Sequence, residues 1–200
     1  SDSRIWAVAL DTHGRLVAAG DQQGTLGLWE VDTGRLIARV VGAHNGSISS
    51  IEFHPDEEII ISAGADGMIQ KWHAADLSPL EQPMSGHGGG VTRFALSPDA
   101  TRLASSDRAG TLRLWDVSNN ELLQQWQADD NTIWSLAWSL DGKQIATAHA
   151  DEAVTLWNVA TGQIESKLTP HPGGATDVVF LADGKTVAST SRDGTMRLWD

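Results

Sequence analysis

Ser189 to Asp200 read STSRDGTMRLWD, and the rest of the chain is built from variants of that phrase. Four earlier stretches carry it: GDQQGTLGLWE around Trp29, AGADGMIQKWH around Trp72, SDRAGTLRLWD around Trp115 and HADEAVTLWN around Trp157. With Trp199 these tryptophans follow one another at intervals of 43, 43, 42 and 42 residues. A repeat of that length cannot bury its own apolar face, so the copies must pack on one another.

Upstream of each tryptophan the same parts recur. A first apolar run places Val8, Ile51, Phe94, Leu136 and Val178 in equivalent core positions. A polar turn follows: Asp11–Gly14, His54–Glu57, Ser97–Ala100, Leu140–Gly142 or Ala182–Gly184. A second run of small and β-branched residues leads through a tight Asp/Gly turn to the run that ends at the tryptophan. A further turn, such as Asp32–Gly34 or Ser118–Asn120, opens a fourth run. Short alternating runs rich in Val, Ile, Leu and Thr, separated by Gly, Asp and Asn clusters, predict strands joined by hairpins. The expected fold is all-β, with a four-stranded antiparallel meander as its unit and no helix.

The composition narrows the function classes. The chain has 200 residues, 40% of them apolar, enough for a packed fold read as one domain over 1–200. It has no cysteine, which removes disulfides and thiolate metal sites and suits a reducing, cytoplasmic setting. No apolar run approaches the roughly 20 residues that span a bilayer. With 26 acidic against 14 basic residues the net charge is −12. That surface repels phosphate backbones and anionic lipid, so neither nucleic acid nor membrane is expected as a partner, and a basic protein or peptide is.

One further spacing carries a resemblance. Twenty-eight residues before four of the tryptophans stand His44, His87, Asp129 and His171. Gly-Ala-His44 and Gly-His87, at that spacing from Trp72 and Trp115, together with the Trp-Asp pairs at Trp115-Asp116 and Trp199-Asp200, resemble the WD-repeat (WD40) β-propeller family over the whole chain. The repeats fall at about 1–42, 43–85, 86–127, 128–169 and 170–200. The resemblance implies about five four-stranded blades, the last lacking its outer strand because the sequence stops after its third. The expected explanation is an excerpt of a longer chain, or self-association through the open strand edge.

The family also implies a structural relay of His, Ser or Thr, Asp and Trp in each blade. An Asp six residues before the tryptophan is present as Asp66, Asp151 and Asp193, and replaced by Gln23 and Ala109. The Ser or Thr expected eight before it is met only by Ser191. The expected relay is therefore His171, Ser191, Asp193 and Trp199, with partial sets His44, Asp66 and Trp72, and Asp151 and Trp157. His171, Ser191 and Asp193 also have the residue types of a hydrolase triad. No nucleophile elbow accompanies them and the Ser is expected to serve the indole, so no enzyme activity is expected. The seven histidines are scattered and read as structural, and Gly86–Gly90 lacks the Lys-Ser/Thr and helix of a phosphate loop. No metal or cofactor is expected.

Two tryptophans stand outside the repeat position and just after an apolar strand starter: Trp6 after Ile5, and Trp134 after Ile133. In WD propellers that position, with the residue before the turn Asp, opens onto the top rim. The resemblance thus implies a non-catalytic scaffold binding protein or peptide through Trp6, Arg93, Arg108, Trp134, Asp177 and Arg192. Ile133–Gly142 and Arg113–Ser118 also resemble the WD-repeat tails of bacterial and fungal signalling NTPases, implying as the alternative a ligand-sensing part of a larger enzyme.

Overall fold

The computed structural model describes residues 3–55, 58–128 and 131–200. Asp129, expected at the histidine position of repeat 4, and Asp56 and Glu57 of the second turn lie outside the described residues. Among the described residues the regular structure is all strand, in five antiparallel sheets. Sheet 1 holds β1 (Ile5–Leu10), β2 (Leu16–Asp21), β3 (Leu26–Glu30) and β4 (Leu36–Val40). Sheet 2 holds β5 (Ile48–Phe53), β6 (Ile59–Gly64), β7 (Ile69–His73) and β8 (Pro79–Met84). Sheet 3 holds β9 (Val91–Leu96), β10 (Arg102–Asp107), β11 (Thr111–Asp116) and β12 (Leu122–Gln127). Sheet 4 holds β13 (Ile133–Trp138), β14 (Gln144–His149), β15 (Val154–Asn158) and β16 (Ile164–Leu168). Sheet 5 has three strands, β17 (Ala175–Phe180), β18 (Val187–Ser191) and β19 (Met196–Trp199).

Burial follows strand order. The second strands β6, β10 and β14 bury every residue after the first, because Ala, Ser, Thr and Gly let covering layers approach both faces. The fourth strands β12 and β16 bury none of their residues. The turn between second and third strands needs a left-handed residue, supplied by Gly24, Gly67, Gly110 and Gly194 at φ 80, 77, 76 and 81°. Repeat 4 places Glu152 there at φ 79° instead.

The chain forms two compact units, Ser1–Thr92 and Arg93–Asp200. In the first, β1 lies against β5, and Leu26 and Leu28 pack with Ile48, Ile51, Phe53 and Ile60. In the second, β10 lies against β13 and β13 against β17, around Leu112, Leu114, Ile133 and Leu136 and then Val154, Ala175 and Val178. Four of the five expected core positions are buried. Val8 is 60% exposed, because it lies on the face of sheet 1 turned away from sheet 2.

Four of the first strands, β1, β5, β13 and β17, share one irregularity with consequences for the site. Their register against the second strand slips between Ile5 and Ala7, Ile48 and Ser50, Ile133 and Ser135, and Ala175 and Asp177. The extra residues are Trp6, Ser49, Trp134 and Thr176. A bulge leaves that residue out of the ladder and re-aims its side chain.

Candidate functional site

Ten residues before each repeat tryptophan stand Ala19, Ser62, Ser105, Thr147 and Ser189. The hydroxyl at that position accepts the indole N–H at 2.8 Å in four repeats: from Trp72, Trp115, Trp157 and Trp199. This corrects the expectation for Ser191. Val187 is the direct partner of Trp199, so Ser189 is its diagonal neighbour on the same face, within reach of an indole. Ser191 lies one pleat further on, where its hydroxyl donates to the Pro172 carbonyl and accepts the Asp193 N–H. Ala19 has no hydroxyl to offer, and in repeat 1 the Trp29 ring folds over Gly27, where any Cβ would meet it at 2.2 Å.

Repeat 2 completes a proton-ordered chain. Trp72 donates to Ser62, Ser62 lies 2.8 Å from His44 Nε2, and His44 Nδ1 lies 3.0 Å from Asp66. The carboxylate can only accept, so Nδ1 carries a proton; in the neutral ring Nε2 then accepts from Ser62, and every bond in the series is satisfied. Burial would raise the Asp66 pKa, but the His44 ring and the N–H groups of Asn45 and Met68 outweigh it and hold the carboxyl below its ordinary value.

Repeat 5 departs from the expected His171–Asp193 contact. Arg197, two residues before Trp199, reaches between them: its guanidinium donates to His171 Nδ1 and, at 3.2 Å, to Asp193. Repeat 2 has Gln70 at that position, and its amide donates to the carbonyls of Lys71 and Leu80 instead. With Nδ1 accepting, His171 donates from Nε2 to Ser189, the reverse of repeat 2. Burial, then the Arg197 charge, lower the His171 pKa against the opposing pull of Asp193, so the ring is neutral. The Thr195 hydroxyl leads the interactions that bring the Asp193 carboxyl down to about 2. In repeat 4 the imidazole comes from the strand itself: His149 Nε2 lies 2.7 Å from Thr147, while Asp151 is exposed in the turn.

Triad chemistry finds no footing in this arrangement. The Ser191 hydroxyl donates to the Pro172 carbonyl and not to His171, whose Nε2 meets Ser189 instead, and the Arg197 guanidinium rather than the Asp193 carboxylate faces the far nitrogen of His171. Among the described residues no group of three His, Cys, Asp or Glu could hold a metal ion, and no helix is long and apolar enough to cross a membrane.

The rim residues divide between the two units. In the first, Trp6 stands on its bulge 62% exposed. In the second, Trp134 is half-buried, with the Arg192 guanidinium 5.1 Å above its ring centroid and its indole N–H buried without an acceptor. Asp177 accepts the Ser135 hydroxyl at 2.5 Å and the Val178 N–H at 3.0 Å. Arg93, Arg108 and Arg192 are exposed. Of the remaining tryptophans, Trp126 is half-buried and stacks on Trp157 at 6.2 Å, and the buried Trp138 donates to the Ala95 carbonyl at 3.0 Å. The sequence offered no sign of the bulges, nor of Arg197 entering the relay. The hydroxyls ten residues before the tryptophans were visible in it as a fixed spacing.

Comparison with known proteins agrees with this geometry. The family described as WD domain, G-beta repeat, matches residues 1–30, 35–73, 78–116, 120–158 and 162–200. WD repeat-containing protein 37 of Xenopus laevis is 33% identical over 82 residues, 40% of this chain and 16% of that protein. The periodic tryptophan protein 2 homolog of Mus musculus is 36% identical over 70 residues, 34% of this chain and 8% of that protein. The U5 small nuclear ribonucleoprotein 40 kDa protein of Pongo abelii is 42% identical over 53 residues, 26% of this chain and 15% of that protein. The matches thus span less than a fifth of each of these relatives.

Proposed function

This chain belongs to the WD40 repeat family, and from that membership we propose that it is a non-catalytic scaffold that docks a protein or peptide at its first-strand bulges, foremost the one at Trp134 in the second unit. The observation that supports this reading is Trp134 beneath Arg192. A buried indole N–H without an acceptor is uncommon in a folded protein, and a carbonyl or carboxylate from a docked segment would supply one. Tryptophan and arginine are also the side chains that most often anchor protein interfaces. Arg93 and Arg108, with Asp177, extend the polar surroundings in the same unit; Trp6, exposed on the bulge of the first unit, is by itself a further candidate contact. The WD-repeat names of the similar proteins support a binding role in general terms.

The test is affinity capture with the wild-type chain and with Trp134→Ala and Arg192→Ala variants. Each substitution is expected to lower recovery of bound protein at least tenfold while the melting temperature stays within a few degrees. Loss of melting temperature in proportion to loss of binding would show the pair to be part of the core, and the reading would fail.

A further inference from the structure

At the opposite end of the first strands, where they turn into the second, the two units treat the groove between neighbouring sheets differently. In the second unit the groove between sheets 3 and 4 is filled from within. Arg102 opens β10, and its guanidinium lies 5.2 Å above the ring of Trp138, which closes β13. One of its nitrogens donates to the Gly142 carbonyl at 3.3 Å, and the Trp138 indole is itself pinned to Ala95. Asp99 stands close enough for the Arg102 charge to help lower its pKa, behind the Ser97 hydroxyl and the Thr101 N–H.

The first unit has the same frame without the guanidinium. Leu16 opens β2 as Arg102 opens β10, both thirteen residues before their tryptophan. Phe53 closes β5 as Trp138 closes β13. Leu16 packs on the cluster that holds Phe53 but does not reach across as Arg102 does, and a cavity of about 440 Å³ remains, lined by Leu16, Ile37 and the edge of Phe53, which is 8% exposed. Its rim carries the carboxylates of Asp11 and Glu58. The N–H groups of Leu16 and Arg15 outweigh burial and lower the Asp11 pKa, so the group is an anion at neutral pH. Arg15 borders the cavity without filling it: its side chain is 72% exposed, with Nε 3.8 Å from Asp11.

We infer that this cavity is a binding site for the arginine side chain of a partner peptide, which would lie over Phe53 and reach Asp11 and Glu58 as Arg102 lies over Trp138 in the second unit. A flat, weakly hydrated guanidinium stacks on an aromatic face and forks onto carboxylates, which an ammonium does less well. The chain's net charge of −12 favours a basic segment in the same direction. The cavity shares no lining residue with the Trp6 bulge or with the Trp134 and Arg192 pair, so either reading can fail alone.

The probe is the capped peptide acetyl-Gly-Arg-Gly-amide, titrated into the intact chain and followed by amide chemical shifts. Saturable shifts are expected at Leu16 and Phe53, with the citrulline peptide binding at least tenfold more weakly because it keeps the shape and loses the charge. Leu16→Arg should fill the cavity as Arg102 does and weaken the arginine peptide at least tenfold. Glu58→Gln, on the exposed rim, should weaken it severalfold and stands in if Leu16→Arg does not fold. Arg102→Leu should add a second set of shifts around Trp138. No saturation, equal binding of the citrulline peptide, or binding undiminished in a folded Leu16→Arg or in Glu58→Gln would overturn the inference.

Discussion

Ser62 lies between two rings with opposite needs, accepting from the Trp72 indole and giving its own proton to His44. Removing it leaves two buried nitrogens without a partner, and each such loss costs about 1–3 kcal/mol. Ser62→Ala is therefore expected to destabilise by about 2–4 kcal/mol in chemical denaturation, and a change under about 0.5 kcal/mol would show the relay to be ornamental. Asp66 at its far end gives the pH dependence. Its folded pKa is depressed, so its contribution is complete above the unfolded carboxyl value of about 3.9 and is lost as pH falls through the folded value. Melting temperature should drop with acid in the wild type and drop less steeply in Asp66→Asn, which starts lower at neutral pH. The residues of this relay were only half legible in the sequence. His44, Asp66 and the tryptophans are marked by spacing, whereas spacing alone points to Ser191 in place of Ser189, because a count of eight carries no information about which pleat an indole can reach. Arg197 was unforeseeable for a related reason: only the folded register shows that its guanidinium ends between His171 and Asp193.

Among the strands, β6 shows how an element is shaped by what docks on it. Gly64 ends it, and a Cβ there would stand 2.5 Å from His44 Nδ1. The glycine is thus required by the imidazole and not by its own backbone, whose φ is ordinary. Gly64→Ala should expel the ring, break the contact with Asp66 and cost about 1–3 kcal/mol, as overpacking of a filled site does. A shifted His44 ring resonance that no longer senses Asp66→Asn would report the expulsion, and an unchanged resonance would contradict it. Strand runs and turns were legible because alternation and Gly or Asp clusters are local signals. The bulges at Trp6 and Trp134 were not, since a bulge is a mismatch between two strands and neither strand records it alone. The sequence singled out those tryptophans as odd, and the bulges supply the reason.

Across the whole molecule, repetition turns burial into a test of what each face expects to meet. Leu26 and Leu28 of β3 are fully buried, whereas their counterparts in β19, Met196 and Leu198, are 67% and 60% exposed. The same strand has no fourth strand beside it among the described residues. Neighbouring apolar side chains and an uncovered strand edge together make an association surface. The net charge of −12 works against it at long range, but that repulsion is screened beyond about 8–10 Å at physiological salt, while burial of apolar area acts on contact. The isolated chain is therefore expected to self-associate with rising concentration in sedimentation velocity, and more strongly as salt is raised. Met196→Lys combined with Leu198→Lys should return it to monomer without lowering the melting temperature, since neither side chain supports the folded sheet. If the double variant associates as the wild type does, the contact lies elsewhere and these exposed residues have no part in it.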